Sequence, residues 1–294
     1  MVIIDFNQIV IANIMQQVNY DKNAILDENL VRHMILNQIR NIVMKFKPNE
    51  FVIACDSKKY WRRDVFPYYK IHRKKERDES GFNWKAVFEI LEKIKTELKS
   101  FSPYKVVEVE GAEADDIIAT LVQDAWMSSN ADIIIVSSDK DFFQLHSPKV
   151  KQWSPYHKKW LKAENPDLYL LEHILKGDKG DGVPNFLSVN ESFVMGKRQT
   201  PVTKNKINDI IKKFPEYKNI SEKIYDNPRS FLKEDDVYGF CRNYSLINLK
   251  YIPENIKSSI MESYIKAERA SKSTFLNYFI EKRLKNLTSI IGDF

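Results

Sequence analysis

Asp139 and Asp141 stand two residues apart in DIIIVSSDKDFFQLH (132–146), just beyond four apolar β-branched residues, Ile133 to Val136. Two carboxylates held that close repel each other, and burial raises their pKa, unless a cation sits between them. One such pair has an ordinary explanation, because Asp is a favoured helix N-cap. The pattern recurs along the chain, however. Asp5 ends the run MVIID, Asp56 ends EFVIACD, Glu113, Asp115 and Asp116 open EADDIIATLV, and Asp178 and Asp181 share the turn GDKGD. Carboxylates gathered from several places suit a hard divalent cation such as Mg²⁺, which keeps several waters and takes only one or two carboxylates directly. The five histidines are scattered without an obvious partner, and Cys55 and Cys241 form no C-x-x-C pair. Water is therefore the expected nucleophile, with no covalent intermediate.

The elements that must position these acids can be read from periodicity. Short apolar runs at 1–6, 50–56, 104–111 and 131–138 read as strands, and the last closes the series. Helical spacing covers 28–46, 83–101 and 113–126. Such alternation predicts an α/β fold with a mostly parallel central sheet flanked by helices. Ligands in such sheets collect outside the carboxyl ends of the strands, which is where the acids fall. The helix dipole alone would account for Glu113, Asp115 and Asp116. A short apolar helix and a Gly/Asp-rich turn follow at 168–185, and beyond it the chain reads as helices and loops. The expected division is an α/β domain over 1–185 and a smaller helical, DNA-binding domain over 186–294.

The chain has 294 residues, with 46 Lys and Arg against 40 acids and a net charge of +6. The excess is concentrated. Residues 58–79 carry nine basic residues and four acids, interleaved with Tyr60, Trp61, Phe66, Tyr68 and Tyr69. Basic side chains neutralise phosphates and aromatic faces stack on unpaired bases. Lys58, Lys59, Arg63, Arg73, Lys74 and Lys75 are candidate nucleic-acid contacts here. A second patch at 197–213 adds Lys197, Arg198 and Lys204. A solvated surface is the plain alternative for either patch. The first leaves directly from an acid-bearing strand end, and that favours a metal-dependent site for a polyanion. Residues 1–10 have no basic leader before their apolar run, and no run approaches the ~18 apolar residues of a membrane span. A soluble, cytoplasmic protein is expected.

In order, IIDF, ACDSKKYWRRDVFPYYKIHR, AEADDIIA, VSSDKDFFQLH and LKGDKGDGVP resemble the acidic motifs of the structure-specific 5′-nuclease (flap endonuclease) family. Within it, VKQWSPYHKKW and the closing YIPENI…LTSIIGDF resemble the T-even-phage type of ribonuclease H. The likeness runs over almost the whole chain. It implies a Mg²⁺-dependent 5′→3′ exonuclease and flap endonuclease using two ions, with Mn²⁺ expected to substitute. Asp5, Asp56, Glu113, Asp115 and Asp139 would surround the first ion, and Asp141, Asp178 and Asp181 the second, with Asp139 between them. Asp116 belongs to the same candidate set. Arg62 and Lys70 would reach the scissile phosphate from an arched segment, 58–82, that moves without substrate. The resemblance further implies substrates with 5′ ends, flaps or forks, RNA–DNA hybrid among them. It implies removal of RNA primers and adjacent DNA from lagging-strand fragments inside an infected bacterial cell, by a monomer. A single-strand-binding protein and a sliding clamp would be partners. Two departures stand out. Many relatives carry a Gly-rich helix–hairpin–helix after the last acids, and here only Gly182 and Gly196 remain, so Lys197, Arg198 and Lys204 would supply contacts instead. The phage enzymes also have a short extension before the first strand. The tail LTSIIGDF suits either a clamp-binding peptide or a packed terminal segment.

Rival readings differ in testable ways. A PIN-type ribonuclease clusters acids similarly but lacks the helical domain and basic arch. A haloacid-dehalogenase-like phosphatase needs Asp-x-Asp at strand one, where this chain has Asp5-Phe6-Asn7. A non-catalytic nucleic-acid-binding module of nuclease fold would bind without cutting.

Overall fold

A computed structural model of the chain describes residues 1–18, 21, 26–128, 131–213 and 227–294. The first strand, β1 (Val2–Asp5), is buried along its whole length, as expected of a strand covered on both faces. Helix α1 (Phe6–Val18) follows with no linker, and Asp5 itself caps it, one carboxylate oxygen accepting from the Gln8 amide at 3.2 Å. This helix is absent from the sequence reading, because the apolar run passes from strand to helix without a break. Helix α2 (Glu28–Phe46) starts at its Asp27 cap and ends at Lys47, which adopts a left-handed φ of 44°. Then come β2 (Phe51–Cys55), two short helices α3 (Trp61–Val65) and α4 (His72–Ser80), and α5 (Trp84–Phe101), which is capped by Asn83. Strand β3 (Lys105–Glu108), α6 (Ala114–Ser128) and β4 (Ile133–Val136) complete the alternating half.

The sheet does not end there. A 3₁₀ turn (Asp141–Leu145) leads to β5 (Val150–Ser154) and β6 (Lys159–Leu161), so the sheet has six strands in the order β3-β2-β1-β4-β5-β6. All neighbours are parallel except β5 and β6. The expectation that residues 131–138 close the sheet is thus corrected. VKQWS and KWL are too short and polar to announce strands, and a cross-strand Trp153–Trp160 pair, with ring centroids 5.3 Å apart, helps hold them together. Because the chain lays β2 and β3 on one side of β1 and returns with β4 on the other, the order reverses between β1 and β4. A crevice forms at such a reversal, beyond the strands' carboxyl ends.

Helices α7 (Pro166–Lys176), α8 (Lys204–Ile211), α9 (Glu234–Ile247), α10 (Glu254–Lys266), α11 (Lys272–Glu281) and α12 (Lys285–Thr288) make up the rest. The boundary expected near 185 falls inside a shared core. One apolar cluster joins Phe66, Tyr69, Leu170, Ile174 and Val183 to Ile207, Phe240 and Leu246. Two further clusters place Ile256 and Ile260 of α10 against β3 and α6, and Phe275, Phe279 and Phe294 with β1, β2, α2 and α5. The tail LTSIIGDF is a packed segment, with Leu287 and Phe294 buried. Beneath it Arg32 donates to both oxygens of Glu97, at 2.7 and 3.0 Å, and the Tyr278 hydroxyl donates to the same carboxylate at 2.9 Å. No helix among the described residues is long and apolar enough to cross a membrane.

Candidate metal centre

Asp5 leaves the end of β1 and Asp139 follows β4, so the two strands flanking the reversal deliver the first two acids. A cleft of about 810 Å³ opens there, lined by Asp5, Asp56, Asp115, Asp139, Asp141, Asp178 and Asp181, with Lys70, Arg73 and His173. Each carboxylate is fixed by its own neighbourhood. Asp56 accepts from the Ala114 amide at 2.7 Å, tying the end of β2 to the start of α6. Asp139 accepts from the Asp141 amide at 3.0 Å, and Asp178 from the Asp181 amide at 3.1 Å. Asp5 bonds Gln8 through one oxygen, and its other accepts from the Ser137 hydroxyl at 3.1 Å. In each of these residues one oxygen caps or turns the chain, as the capping explanation expects. In Asp56 and Asp139 no bond from a backbone amide engages the second, whereas Asp178 also meets the Gly180 amide and His173.

The cleft is short of positive charge. Burial, then Asp56 and Asp139, push the Asp5 carboxyl up to about 7. Burial and Asp139 push Asp141 up to about 8, against the pull of His173. Burial with Asp139 and Asp5 likewise raises Asp115. Hard oxygen donors crowded until they resist ionising are the donor set that a divalent cation relieves. The chain's own cations partly compensate. Lys70, in a left-handed backbone conformation (φ 55°), places its ammonium on Glu113 and 3.5 Å from Asp181. Burial opposes the charge on Lys70, but Asp181 and Glu113 outweigh it and raise its pKa. Arg73 binds Asp181. His173 lies with Nδ1 3.6 Å from Asp141 and Nε2 3.4 Å from Asp178.

Three expected site residues sit elsewhere. Arg62 is 2% exposed and is not in the lining of the open cleft, though it lines a small cavity with Asp115, Asp141, Asp178 and Asp181. Its Nε donates to the Leu246 carbonyl, Nη1 to Glu113 and Asp116, and Nη2 to Asp116 at 2.8 Å. In this conformation four of its five N–H groups are held by a carbonyl and two buried carboxylates. Asp116, fully buried, accepts from Arg62, from the Trp61 indole at 3.1 Å and from the Glu113 amide at 3.0 Å, so it is a structural acid. Glu113 is buried too, its oxygens taken by Lys70, Arg62 and Tyr69. Burial raises the Glu113 pKa, but Lys70 and Arg62 prevail and hold it near 2.

His173 is a residue that sequence reasoning missed, and Tyr69, expected among the base-stacking aromatics, is instead buried against the acids. The Tyr69 hydroxyl lies 2.9 Å from Glu113 and 2.6 Å from Asp181, its one hydrogen shared between them. His173 precedes Asp178 by five residues, and only the reversal at Gly177 brings the two together. A histidine in the last helical turn before an acidic turn is the signal that sequence offers.

Lys58, Lys59, Arg63, Lys74 and Lys75 are exposed, as are Lys197, Arg198 and Lys204. Arg73 is partly covered by its bond to Asp181. A second groove, of about 830 Å³, shares Asn7 and Asp56 with the acid cleft and is lined further by Lys58, Tyr60, Lys85 and Phe88.

Residues 3–169 match the family model of the 5′-3′ exonuclease N-terminal resolvase-like domain, and residues 164–294 that of the T4 RNase H C-terminal domain. The chain is 37% identical to ribonuclease H of Enterobacteria phage T4 over 99% of its own length and 95% of that protein's. It is 28% identical to the flap endonuclease Xni of Shewanella putrefaciens, over 56% of this chain and 64% of that one. The fold matches bacteriophage T5 D15 protein co-crystallised with metal ions, with a TM-score of 0.64 at 14% identity, covering 91% of this chain and 99% of that one. The D15 flap endonuclease in complex with DNA and metal ions matches with a TM-score of 0.65 at 15% identity, over 90% of this chain and 98% of that one. With sheet order, acid cleft and both family models in agreement, this chain belongs to the 5′-3′ exonuclease family, in the branch that carries the T4 ribonuclease H C-terminal domain.

Proposed function

We propose that this metal-dependent nuclease is a Mg²⁺-dependent 5′→3′ exonuclease and flap endonuclease that removes RNA primers and adjacent DNA from lagging-strand fragments during phage DNA replication. The observation that carries the reading is the convergence of acids from the ends of β1, β2 and β4, and from α6 and the turn after α7, on one cleft bordered by a basic, aromatic segment. Asp5, Asp56, Asp115 and Asp139 would hold one ion, and Asp139, Asp141, Asp178 and Asp181 the other. Divalent ions bound there would supply the charge that activates a water and stabilises the departing 3′-oxygen. Lys70 sits on the cleft wall, where it would donate to a phosphate oxygen once substrate draws it from Glu113. Tyr69 and Arg73 orient Asp181. The exposed lysines and arginines would hold the phosphate backbone, and the groove past Asn7 and Asp56 offers an unpaired strand a way out. A single-strand-binding protein and a sliding clamp are proposed as partners on family resemblance, and the enzyme as a monomer.

The test is cleavage of 5′-labelled RNA–DNA hybrid and flap DNA by wild type and Asp139→Asn, with Mg²⁺, with Mn²⁺ and with EDTA. Short 5′ products that require both the metal and Asp139, with binding kept in the variant, are expected. Salt-sensitive binding without cleavage would identify a binding module instead.

A further inference from the structure

The two halves of the acid cleft are not chemically alike. Asp5, Asp56 and Asp115 present only oxygen to the first half. In the second, ligand atoms of Asp141, His173 and Asp178 all lie within 4.8 Å of one another, about twice a metal–ligand bond of ~2.0–2.4 Å. His173 Nδ1 is buried and has no hydrogen-bond partner. Its 3.6 Å distance to Asp141 Oδ1 is too long for a hydrogen bond. The other ring nitrogen, Nε2, stands 3.4 Å from Asp178 Oδ2, and the edge of Tyr169 packs against the ring at 5.7 Å between centroids. A ring that donates Nε2–H to a carboxylate keeps the Nδ1 lone pair, and that lone pair faces Asp141 across the gap. Metal-bound histidines are held in this way, with the remote N–H on a carboxylate that fixes tautomer and orientation.

Resting on the metal-centre reading above, we propose that His173 contributes Nδ1 to the second ion alongside Asp141, while Asp178 orients the ring. The second position would then hold a mixed nitrogen–oxygen set and prefer Mn²⁺ to Mg²⁺, whereas the first would accept either on oxygen alone, since imidazole suits transition ions better than Mg²⁺.

Pulsed EPR of the full chain loaded with Mn²⁺ tests this without substrate. Nitrogen-14 modulation is expected in the wild type and nitrogen-15 modulation after labelling with ¹⁵N-histidine. Both should disappear in His173→Gln. In calorimetric titrations that variant should lose about tenfold in Mn²⁺ affinity at one of two positions, and should change less toward Mg²⁺. Mn²⁺ binding without histidine modulation in the wild type would overturn the ligand assignment and leave the metal centre standing. No Mn²⁺ binding at all would sink the metal-centre reading as well. Because the wild-type spectrum decides the matter, a variant that failed to fold would not blunt the test.

Discussion

Asp56 and Asp139 each give one oxygen to a backbone amide and keep the other clear of the backbone. The positions of these carboxylates are therefore set by folding, and the repulsion among the acids of the cleft is borne by the folded chain itself. Asp141→Asn should relieve part of it, raising the stability of EDTA-treated protein by about 0.5–2 kcal/mol. The same change should remove most of the rise in melting temperature on adding Mg²⁺, since an ion stabilises only the state that binds it. Differential scanning calorimetry with and without Mg²⁺ checks both. Arg62 shows the reverse economy. Arg62→Ala would leave Asp116 buried and unpaired, at about 3–5 kcal/mol, and Arg62→Lys could not reproduce the forked bonds. Urea melts of the two variants should both show the loss. The acids were legible in sequence because each follows or opens a recognisable element. The fate of Arg62 was not, because residue type and spacing do not say whether a cation meets solvent or a buried carboxylate.

At the scale of elements, the turn after α7 decides the second half of the centre. Gly177 has φ 69°, and a Cβ there would stand 2.4 Å from the Val183 carbonyl oxygen. Gly177→Ala should cost more than about 1 kcal/mol, because a side chain is strained at positive φ. It should also weaken metal binding by moving Asp178 and Asp181, while a change of similar cost at the far end of the molecule should not. Chemical denaturation paired with Mn²⁺ titration separates the two effects. Helices α2 and α5 were legible almost to the residue, since Asp27 and Asn83 cap clean amphipathic runs. Helix α1 and the β5–β6 pair were not. The first has no breaker before it, and the second depends on tertiary packing of Trp153 and Trp160 that no local pattern encodes.

The whole molecule is joined by polar ties between distant segments. Arg242 donates to the carbonyls of Pro184, Asn185 and Ser188, and so holds the loop beyond the acidic turn against α9. Glu97 ties α5 to Arg32 of α2 and Tyr278 of α11. Burial opposes the charge on Glu97, but bonds from Arg32 and Tyr278 win and hold its carboxyl below the ordinary range. A carboxyl depressed in the folded state contributes stability above its unfolded pKa of about 4.3. That contribution is lost as pH falls through the lower folded value. Stability measured between about pH 5 and pH 3 should fall less steeply in Glu97→Gln than in wild type, although the variant is weaker at neutral pH.

The strand order also has a consequence for synthesis. β1 pairs on one side with β2, made soon after it, and on the other with β4, where Val2 faces Ile134. Until the ribosome has passed that second stretch, one side of β1 remains open and Asp139, Asp141, Asp178 and Asp181 do not exist. A nascent or truncated chain therefore holds only fragments of the centre, and the nuclease cannot be armed before its central sheet is complete.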